Sequence, residues 1–222
     1  MKAMQALAAA AALLCGASAL AADIPLYPTG PAEDAAFIRF VNGTAEPLQV
    51  LAQKGQPPLK LEAAKPVSSF FPVTAKSTIK GTLTVGARSL ELGVQAKPGE
   101  FATVVVLPGA KGISQVTVQD NPDDFNGLKA SLAFFNLDAS CAGAALRPAG
   151  RNADLFKDVK QGSLQRRSIN PVKLSVQLVC GGANTGPALD LGELKAGERY
   201  SVLLLPSDKG PRLLAATDKL AN

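Results

Sequence analysis

Apolar and polar side chains alternate in short runs along most of the chain. In residues 77–85, three threonines and a lysine alternate with Ile79, Leu83 and Val85. A period of two predicts a strand with one buried face rather than a helix. No segment keeps a helical period over several turns, and a single helical turn is expected near residues 153–158. The pattern therefore predicts an all-β protein.

The apolar runs form two groups of similar make-up. Candidate strands in the first half cover residues 37–42, 48–53, 67–73, 77–85, 89–95, 100–107 and 113–119. Those in the second half cover residues 128–136, 142–146, 163–168, 172–180, 188–191, 199–205 and 212–216. Short strands at this spacing are typical of a sandwich of two antiparallel sheets in about 100 residues. We therefore expect two tandem antiparallel β-sandwich domains.

The second half also repeats the first in sequence. The pattern Lys-x-Gly-Glu at residues 97–100 returns 98 positions later, at residues 195–198, and in each copy an apolar run that ends in proline follows it. Asp120 and Asp218 fall at the same offset. A period this long is that of a small domain and not of a solenoid repeat. The halves are thus two copies of one β domain.

Proline and turn-forming residues between the two groups of strands predict the domain bounds. We expect one sandwich over residues 32–120, a proline-containing linker over residues 121–126, and a second sandwich over residues 127–222. Pro122 cannot donate a hydrogen bond to a sheet, and turn-forming residues flank it. Whether the two sandwiches are rigidly docked stays open, as does the oligomeric state.

The first residues read as a targeting segment. Residues 1–22 have a positive start at Lys2, an apolar run over residues 6–14 and a small-x-small pattern at residues 19–21. These are the features of a cleaved secretory signal, which is too short for a membrane span. No later run approaches the roughly 18 apolar residues of such a span. We expect an exported, soluble protein located in the periplasm, without a transmembrane segment in the mature chain.

Cleavage of the signal would remove one of the three cysteines and leave two in the mature chain. Cys15 belongs to the signal, and Leu14 precedes it where lipid attachment requires a small residue. Cys141 and Cys180 remain as a pair in an oxidising compartment, for which a disulfide is the default. Closing a loop of this length stabilises a protein by about 4 kcal/mol in the chain-entropy model. The alternative, a redox dithiol, favours close Cys-x-x-Cys spacing.

The residues that most enzymes rely on are missing. The 222 residues contain no histidine, which removes the Ser-His-Asp triad, histidine-assisted cysteine catalysis and most zinc sites. The acidic residues of the linker lack two required ligand positions of a calcium loop. We expect no enzyme, no cofactor and no metal. Catalysis would require a pair of carboxylates that converge in the fold.

The net charge and the aromatic content limit the classes of partner that we expect the protein to bind. The net charge is only +5 and the basic residues are scattered, which argues against a nucleic-acid partner. The chain has no tryptophan and two tyrosines, whereas sugar platforms use exposed aromatic faces. The pairs Phe70-Phe71 and Phe134-Phe135 are expected in cores, at a sheet edge or between the domains. A module that binds and guides a polysaccharide remains the alternative.

Four segments carry a family resemblance. They are Leu-Tyr-Pro-Thr-Gly-Pro at residues 26–31, Ala-Phe-Ile-Arg-Phe-Val-Asn at 36–42, Arg-Ser-Ile-Asn-Pro-Val-Lys at 167–173 and Leu-Lys-Ala-Gly-Glu at 194–198. In this order, behind a signal peptide, they resemble the alginate biosynthesis protein AlgF family and its relatives in bacterial cellulose-acetylation operons. The Cys141–Cys180 pair and the divergent residues 150–162 leave open which polymer is served.

The resemblance implies a periplasmic accessory factor for O-acetylation of an exported polysaccharide. In such systems a membrane-bound O-acyltransferase passes acetyl groups to periplasmic transferases that carry the catalytic histidine. A chain without histidine suits an adaptor that contacts these acetyltransferase subunits, and the polysaccharide is a further possible partner. The expected contact residues are Tyr27, in an extended leader over residues 23–31, and Arg166, Arg167 and Asn170, in a turn over residues 166–171.

Overall fold

The computed structural model describes residues 35–52, 57–110, 112–122 and 126–221, and all regular secondary structure in these ranges is strand. The first half contains β1 (Ala35–Asn42), β2 (Leu48–Leu51), β3 (Leu59–Leu61), β4 (Phe71–Thr74), β5 (Thr78–Val85), β6 (Arg88–Gln95), β7 (Phe101–Gly109) and β8 (Gly112–Asp120). The second half contains β9 (Ala130–Asn136), β10 (Gly143–Pro148), β11 (Phe156–Lys160), β12 (Ser163–Ile169), β13 (Val172–Cys180), β14 (Ala183–Leu194), β15 (Arg199–Leu205) and β16 (Arg212–Thr217).

Some of the predicted features lie on residues outside these described ranges. The signal segment 1–22 and the leader 23–31 with Tyr27 lie outside the described residues, as do positions 123–125 of the linker. No helix within the described ranges has the length and apolarity to cross a membrane.

Each half is a sandwich of two four-stranded sheets with the same strand order. The first sandwich pairs the sheets β4-β1-β7-β8 and β3-β2-β5-β6, and the second pairs β12-β9-β15-β16 and β11-β10-β13-β14. Every strand therefore has a counterpart eight strands later at the same place in its sheet. The predicted all-β class, with tandem sandwiches of similar topology, is confirmed.

One strand pair in each sandwich departs from the predicted antiparallel arrangement. β1 pairs with β7 in parallel, and β9 pairs with β15 in the same way. Parallel neighbours require a long crossover connection, and here most of the sandwich lies between the two strands. The prediction of antiparallel pairing is wrong for these central pairs and holds for the other strand pairs of the described residues.

The predicted helical turn near residues 153–158 is also wrong. This part of the chain leads into β11, which pairs with β10 across a register shift. Phe156 and Val159 are both buried although they are three residues apart, because Asp158 has a φ of 51° and interrupts the alternation of the strand. Apolar positions three apart are also found on helices, which explains the mistaken prediction.

The repeated Lys-x-Gly-Glu sequence forms the turn that enters β7 and β15. Gly99 and Gly197 have φ angles of 78° and 76°, a region that favours glycine. Their amides donate to the carbonyl oxygens of Ala35 and Lys129, each at 2.9 Å. The turn is thereby fixed beside the start of the strand that becomes its parallel neighbour, which explains why both copies retain the pattern.

The asparagine that ends each opening strand organises the loop that follows it. Asn42 is 1% exposed, and its Nδ2 donates to the carbonyl oxygens of Glu46 and Leu61. The Nδ2 of Asn136 donates in the same way to those of Cys141 and Val159. The sequence Asn42-Gly43-Thr44, which matches a glycosylation acceptor, therefore has its amide nitrogen occupied inside the protein.

Cys141 and Cys180 form a disulfide bond with Cα atoms 5.4 Å apart. The bond joins the loop before β10 to the end of β13, so it ties together two strands of the outer sheet of the second sandwich. Cys141 is buried in the core of that sandwich. The predicted pairing is thus present in the structure.

Three apolar clusters fill the part of the molecule that the structure describes. Two are the cores of the sandwiches, and the third lies between the sheets β4-β1-β7-β8 and β12-β9-β15-β16, which we call the inner sheets. Phe134 lies in the second core and Phe135 in the cluster between the inner sheets, whereas Phe71 packs against the first core. Phe70 is buried. The expectation that the phenylalanine pairs pack inside, partly between the domains, is confirmed.

Residues 219–221 are bonded to the first sandwich. The amide of Phe70 donates to the carbonyl oxygen of Lys219, and the amide of Ala221 donates to that of Phe70, each at 2.7 Å. The last described residues of the second sandwich therefore pair with the first.

Candidate functional site

The central strands of the inner sheets are buried on both faces, which places alternate side chains between the two sandwiches. On β1, Ile38 and Phe40 enter the first core, whereas Arg39 and Val41 point toward the second sandwich. The same alternation holds on β7, β9 and β15. Continuous apolar runs are typical of strands covered on both sides. A charged residue in such a run must find its partners inside the protein.

Arg39 has partners in both halves of the chain. It is 1% exposed, and its Nη1 lies 2.6 Å from Oδ1 of Asp218. Its Nε donates to Oγ1 of Thr103 and its Nη2 to Oγ of Ser201, each at 2.9 Å. The guanidinium also lies 4.5 Å from the ring centre of Phe70. A single side chain of the first sandwich is thus bonded to two residues of the second.

Two further arginines and a second aspartate extend this arrangement. Nη2 of Arg166 lies 2.6 Å from Oδ2 of Asp120 and 3.3 Å from Oδ2 of Asp218. Arg199 lies 3.6 Å from Asp120, and its guanidinium stacks on the ring of Phe101 at 4.6 Å. We call Arg39, Asp120, Arg166, Arg199 and Asp218 the interdomain ion cluster. Arg39 of the first sandwich binds Asp218 of the second, and Arg166 of the second binds Asp120 of the first. The cluster thereby joins the inner sheets.

The internal repeat explains how the cluster is built. Thr103 and Ser201, which both bond Arg39, stand at equivalent positions of β7 and β15, and Asp120 and Asp218 share the repeat offset. Arg39 pairs with Thr103 in the first sheet, and Ala133 pairs with Ser201 in the second. The polar positions are therefore duplicated, whereas the arginine that they bind occurs in one copy only.

Burial and pairing shift the ionisation of the cluster. Burial lowers the pKa of Arg39, and the charge of Asp218 opposes this effect. Burial alone would raise the pKa of Asp218, but Arg39, Arg166 and the hydroxyl of Ser201 outweigh it and hold this pKa below its usual value of 3.8. Asp218 is therefore ionised in the folded protein at neutral pH.

This shift predicts a specific loss of stability in acid. A carboxylate with a lowered pKa in the folded state stabilises that state above its unfolded pKa, and the contribution disappears as the pH falls through the folded value. We expect the free energy of unfolding to decline below about pH 4. The Asp218→Asn variant should be less stable at neutral pH and should decline less steeply. Urea unfolding between about pH 2.5 and 7 measures the free energy of unfolding of the wild type and of the variant. An equally steep decline of this free energy with falling pH in the two proteins would contradict this prediction.

Asp120 and Asp218 are a pair of convergent carboxylates, the arrangement that an enzyme of this composition would need. Both are buried and both contact arginines of the cluster. A general acid needs a raised pKa and access to substrate, and Asp218 has the opposite shift. Ser201 is fully buried, and its hydroxyl donates to Asp218 at 2.7 Å. The geometry suits a structural connection between the sandwiches.

The model of a known family matches most of the chain. A family model described as "Alginate O-acetyl transferase AlgF" matches residues 9–200. The chain belongs to the AlgF family. The family resemblance expected from the four sequence segments is thereby confirmed, and membership of the AlgF family supports a role in alginate acetylation.

Solved structures give further likenesses to this AlgF-family chain. The C-terminal domain of AlgF from P. aeruginosa is 28% identical and covers 40% of this chain and 98% of its own, with a TM-score of 0.34. A putative cell adhesion protein from Bacteroides uniformis ATCC 8492 is 9% identical and covers 86% of this chain and 100% of its own, with a TM-score of 0.29. A search of curated proteins gave no match.

The predicted contact residues of this AlgF-family chain occupy different environments. Arg166 lies in the interdomain ion cluster, with its side chain 11% exposed. Arg167 and Asn170 are exposed, and Nη1 of Arg167 donates to the carbonyl oxygen of Leu155 at 2.7 Å. The predicted turn over residues 166–171 is wrong for the arginines, because both belong to β12. The turn itself follows Ile169.

Sequence reasoning missed Arg39, Thr103 and Ser201. A usable signal was present, because Arg39 is the single charged residue in the apolar run of β1. In the part of the chain that the structure describes, no group of three His, Cys, Asp or Glu residues is placed to hold a metal ion.

Proposed function

We propose that this AlgF-family protein is a non-catalytic periplasmic adaptor in the O-acetylation of an exported exopolysaccharide. Its partners would be periplasmic and membrane-bound O-acetyltransferase subunits, and alginate is the polymer that the family description names. Cellulose is the other polymer that the family resemblance implies. In this proposal the protein supplies fixed contact surfaces, and the acetyltransferase subunits supply the catalytic groups.

The interdomain ion cluster is the observation that carries the proposal. Its five charged side chains join the inner sheets, and an apolar cluster lies between the same sheets. Two sandwiches connected in this way hold their outer surfaces at a fixed separation. A preorganised scaffold loses less entropy when it binds partners than a flexible one does. Rigid spacing is therefore useful to a protein that holds two subunits together.

The outer surfaces are where we place the partner contacts. Arg167 and Asn170 are exposed near the turn between β12 and β13, and they remain our proposed contact residues together with Tyr27. Arg166 would act indirectly, because it fixes β12 to the first sandwich through Asp120.

Reconstitution with purified components tests this proposal. The full-length protein should bind a periplasmic acetyltransferase subunit and a second subunit of the machinery in the same complex, as measured by size-exclusion chromatography with light scattering. By itself it should show neither acetyltransferase nor acetylesterase activity. Activity of the isolated protein would favour an enzyme. Tight binding to the polymer, with no subunit bound, would favour the polysaccharide-binding alternative.

A further inference from the structure

We infer that a groove at one end of the second sandwich binds a short acidic segment of a partner protein through an inserted apolar side chain. The groove lies between the loop after β10 and the turn before β13, and its cavity has a volume of about 410 Å³. We call it the end groove. Apolar side chains that line it include those of Pro148, Leu155, Ile169, Val172 and Leu174. The inference rests on the proposed adaptor function and specifies where one partner docks.

The rim of the end groove carries basic side chains whose charge is available to a partner. Arg151 and Lys173 line the cavity and are exposed. Among the described residues, neither has a carboxylate within salt-bridge distance. The acid in the loop, Asp154, is already paired with Arg147 at 2.9 Å. Arg167 adds a third positive charge nearby, because its guanidinium bonds the carbonyl oxygen of Leu155.

The acids of the neighbouring strand reduce this positive charge without cancelling it. Glu193 of β14 is opposite Lys173 in the sheet register, and Asp190 interacts electrostatically with Lys173. The carboxylate of Asp190 accepts a hydrogen bond from the amide of Gly192 at 2.9 Å. Arg151, on the other side of the groove, stays uncompensated. The rim therefore favours a ligand that carries negative charge.

The lining of the groove indicates the class of ligand. Val172 is 48% exposed beside the cavity, so its apolar surface is accessible to a ligand. None of the residues that line the cavity is aromatic, whereas sugar-binding surfaces stack the sugar on aromatic rings. An aliphatic side chain of a peptide fits this lining, and carboxylates next to it in the peptide would reach Arg151 and Lys173. The observations therefore favour an acidic protein segment over a polysaccharide.

Charge reversal at the rim tests the inference with the acetyltransferase subunit bound in the reconstitution as the probe. The double variant Arg151→Glu and Lys173→Glu and the single variant Val172→Asp should each weaken binding about tenfold or more. Raising the salt concentration should weaken binding of the wild type and affect the charge-reversed variant much less. The matched control, Lys80→Glu with Lys209→Glu, makes the same charge change at two exposed positions elsewhere and should bind within about twofold of the wild type.

Thermal unfolding checks that each variant is folded. If the double variant with glutamates is less stable than the wild type, the milder double variant Arg151→Gln and Lys173→Gln replaces it in the binding measurement. Subunit binding that is unchanged by the groove variants would overturn the inference and leave the adaptor function standing. Equal losses in the groove and control variants would also overturn it. A wild-type protein that binds no subunit would overturn both proposals. Loss of polymer binding, with subunit binding intact, would assign the groove to the polysaccharide.

Discussion

Replacing Arg39 by alanine is expected to destabilise the folded protein by about 3–5 kcal/mol. The substitution leaves the carboxylate of Asp218 buried without its closest partner, because Nη1 of Arg39 lies 2.6 Å from it. It also removes the donors to Thr103 and Ser201, whose hydroxyls are fully buried. Removing one member of a buried ion pair costs more than the pair contributes, because the remaining charge stays desolvated.

Urea unfolding at neutral pH measures this loss. Arg88→Ala is the matched control, because Arg88 also pairs with a carboxylate, that of Glu46, but both side chains are about half exposed. The control should cost less than about 1 kcal/mol. The double variant Arg39→Leu with Asp218→Asn should recover part of the stability lost in Arg39→Ala, because it removes the buried charge. An Arg39→Ala variant as stable as the control would contradict the role assigned to the interdomain ion cluster.

The local pattern and the internal repeat were sufficient to predict the class of fold. The alternation over residues 77–85 is that of β5, and the repeated Lys-x-Gly-Glu sequence marks the same turn in both sandwiches. The error near residues 153–158 arose because Asp158 breaks the alternation of β11. Local periodicity reports the strand only while the backbone stays regular. The bounds 32–120 and 127–222 of the two sandwich domains stay a prediction.

The contact between the two sandwiches was less accessible to sequence reasoning. The apolar runs of β1 and β7 indicate burial on both faces, but they do not identify the opposite sheet. Arg39 is bonded to Ser201 and Asp218, more than 160 residues away. Such a contact depends on the register between two separate sheets, which no local pattern encodes. The shared offset of Asp120 and Asp218 was visible in the sequence, but its meaning required the geometry.

The end groove illustrates the same limit for the candidate site. Arg167 and Asn170 were expected at a contact surface because the sequence placed them in a predicted turn. Arg151 belongs to the divergent residues 150–162 and had no assigned role. The fold brings the loop after β10 next to the turn before β13, because both lie at the same end of the second sandwich. A site made of two such loops becomes visible only in three dimensions.

Loss of the protein is expected to remove most of the acetyl groups from the secreted polymer. An adaptor raises the effective concentration of one subunit near another, an effect worth about 10²–10⁴-fold in linked systems. Without it, acetyl transfer between subunits becomes a slow encounter between separate proteins. We therefore expect less than about a tenth of the normal acetyl content. The yield of polymer should stay unchanged, because synthesis and export do not depend on acetyl transfer in this account.

The most direct test measures the acetyl content of the polymer secreted by a strain that lacks this gene. The same strain complemented with the wild-type chain controls for effects on neighbouring genes, and the quantity of polymer is measured in parallel. The adaptor function predicts nearly complete loss of acetylation at normal polymer yield and recovery on complementation. Normal acetyl content in the strain without the gene, at normal polymer yield, would contradict it.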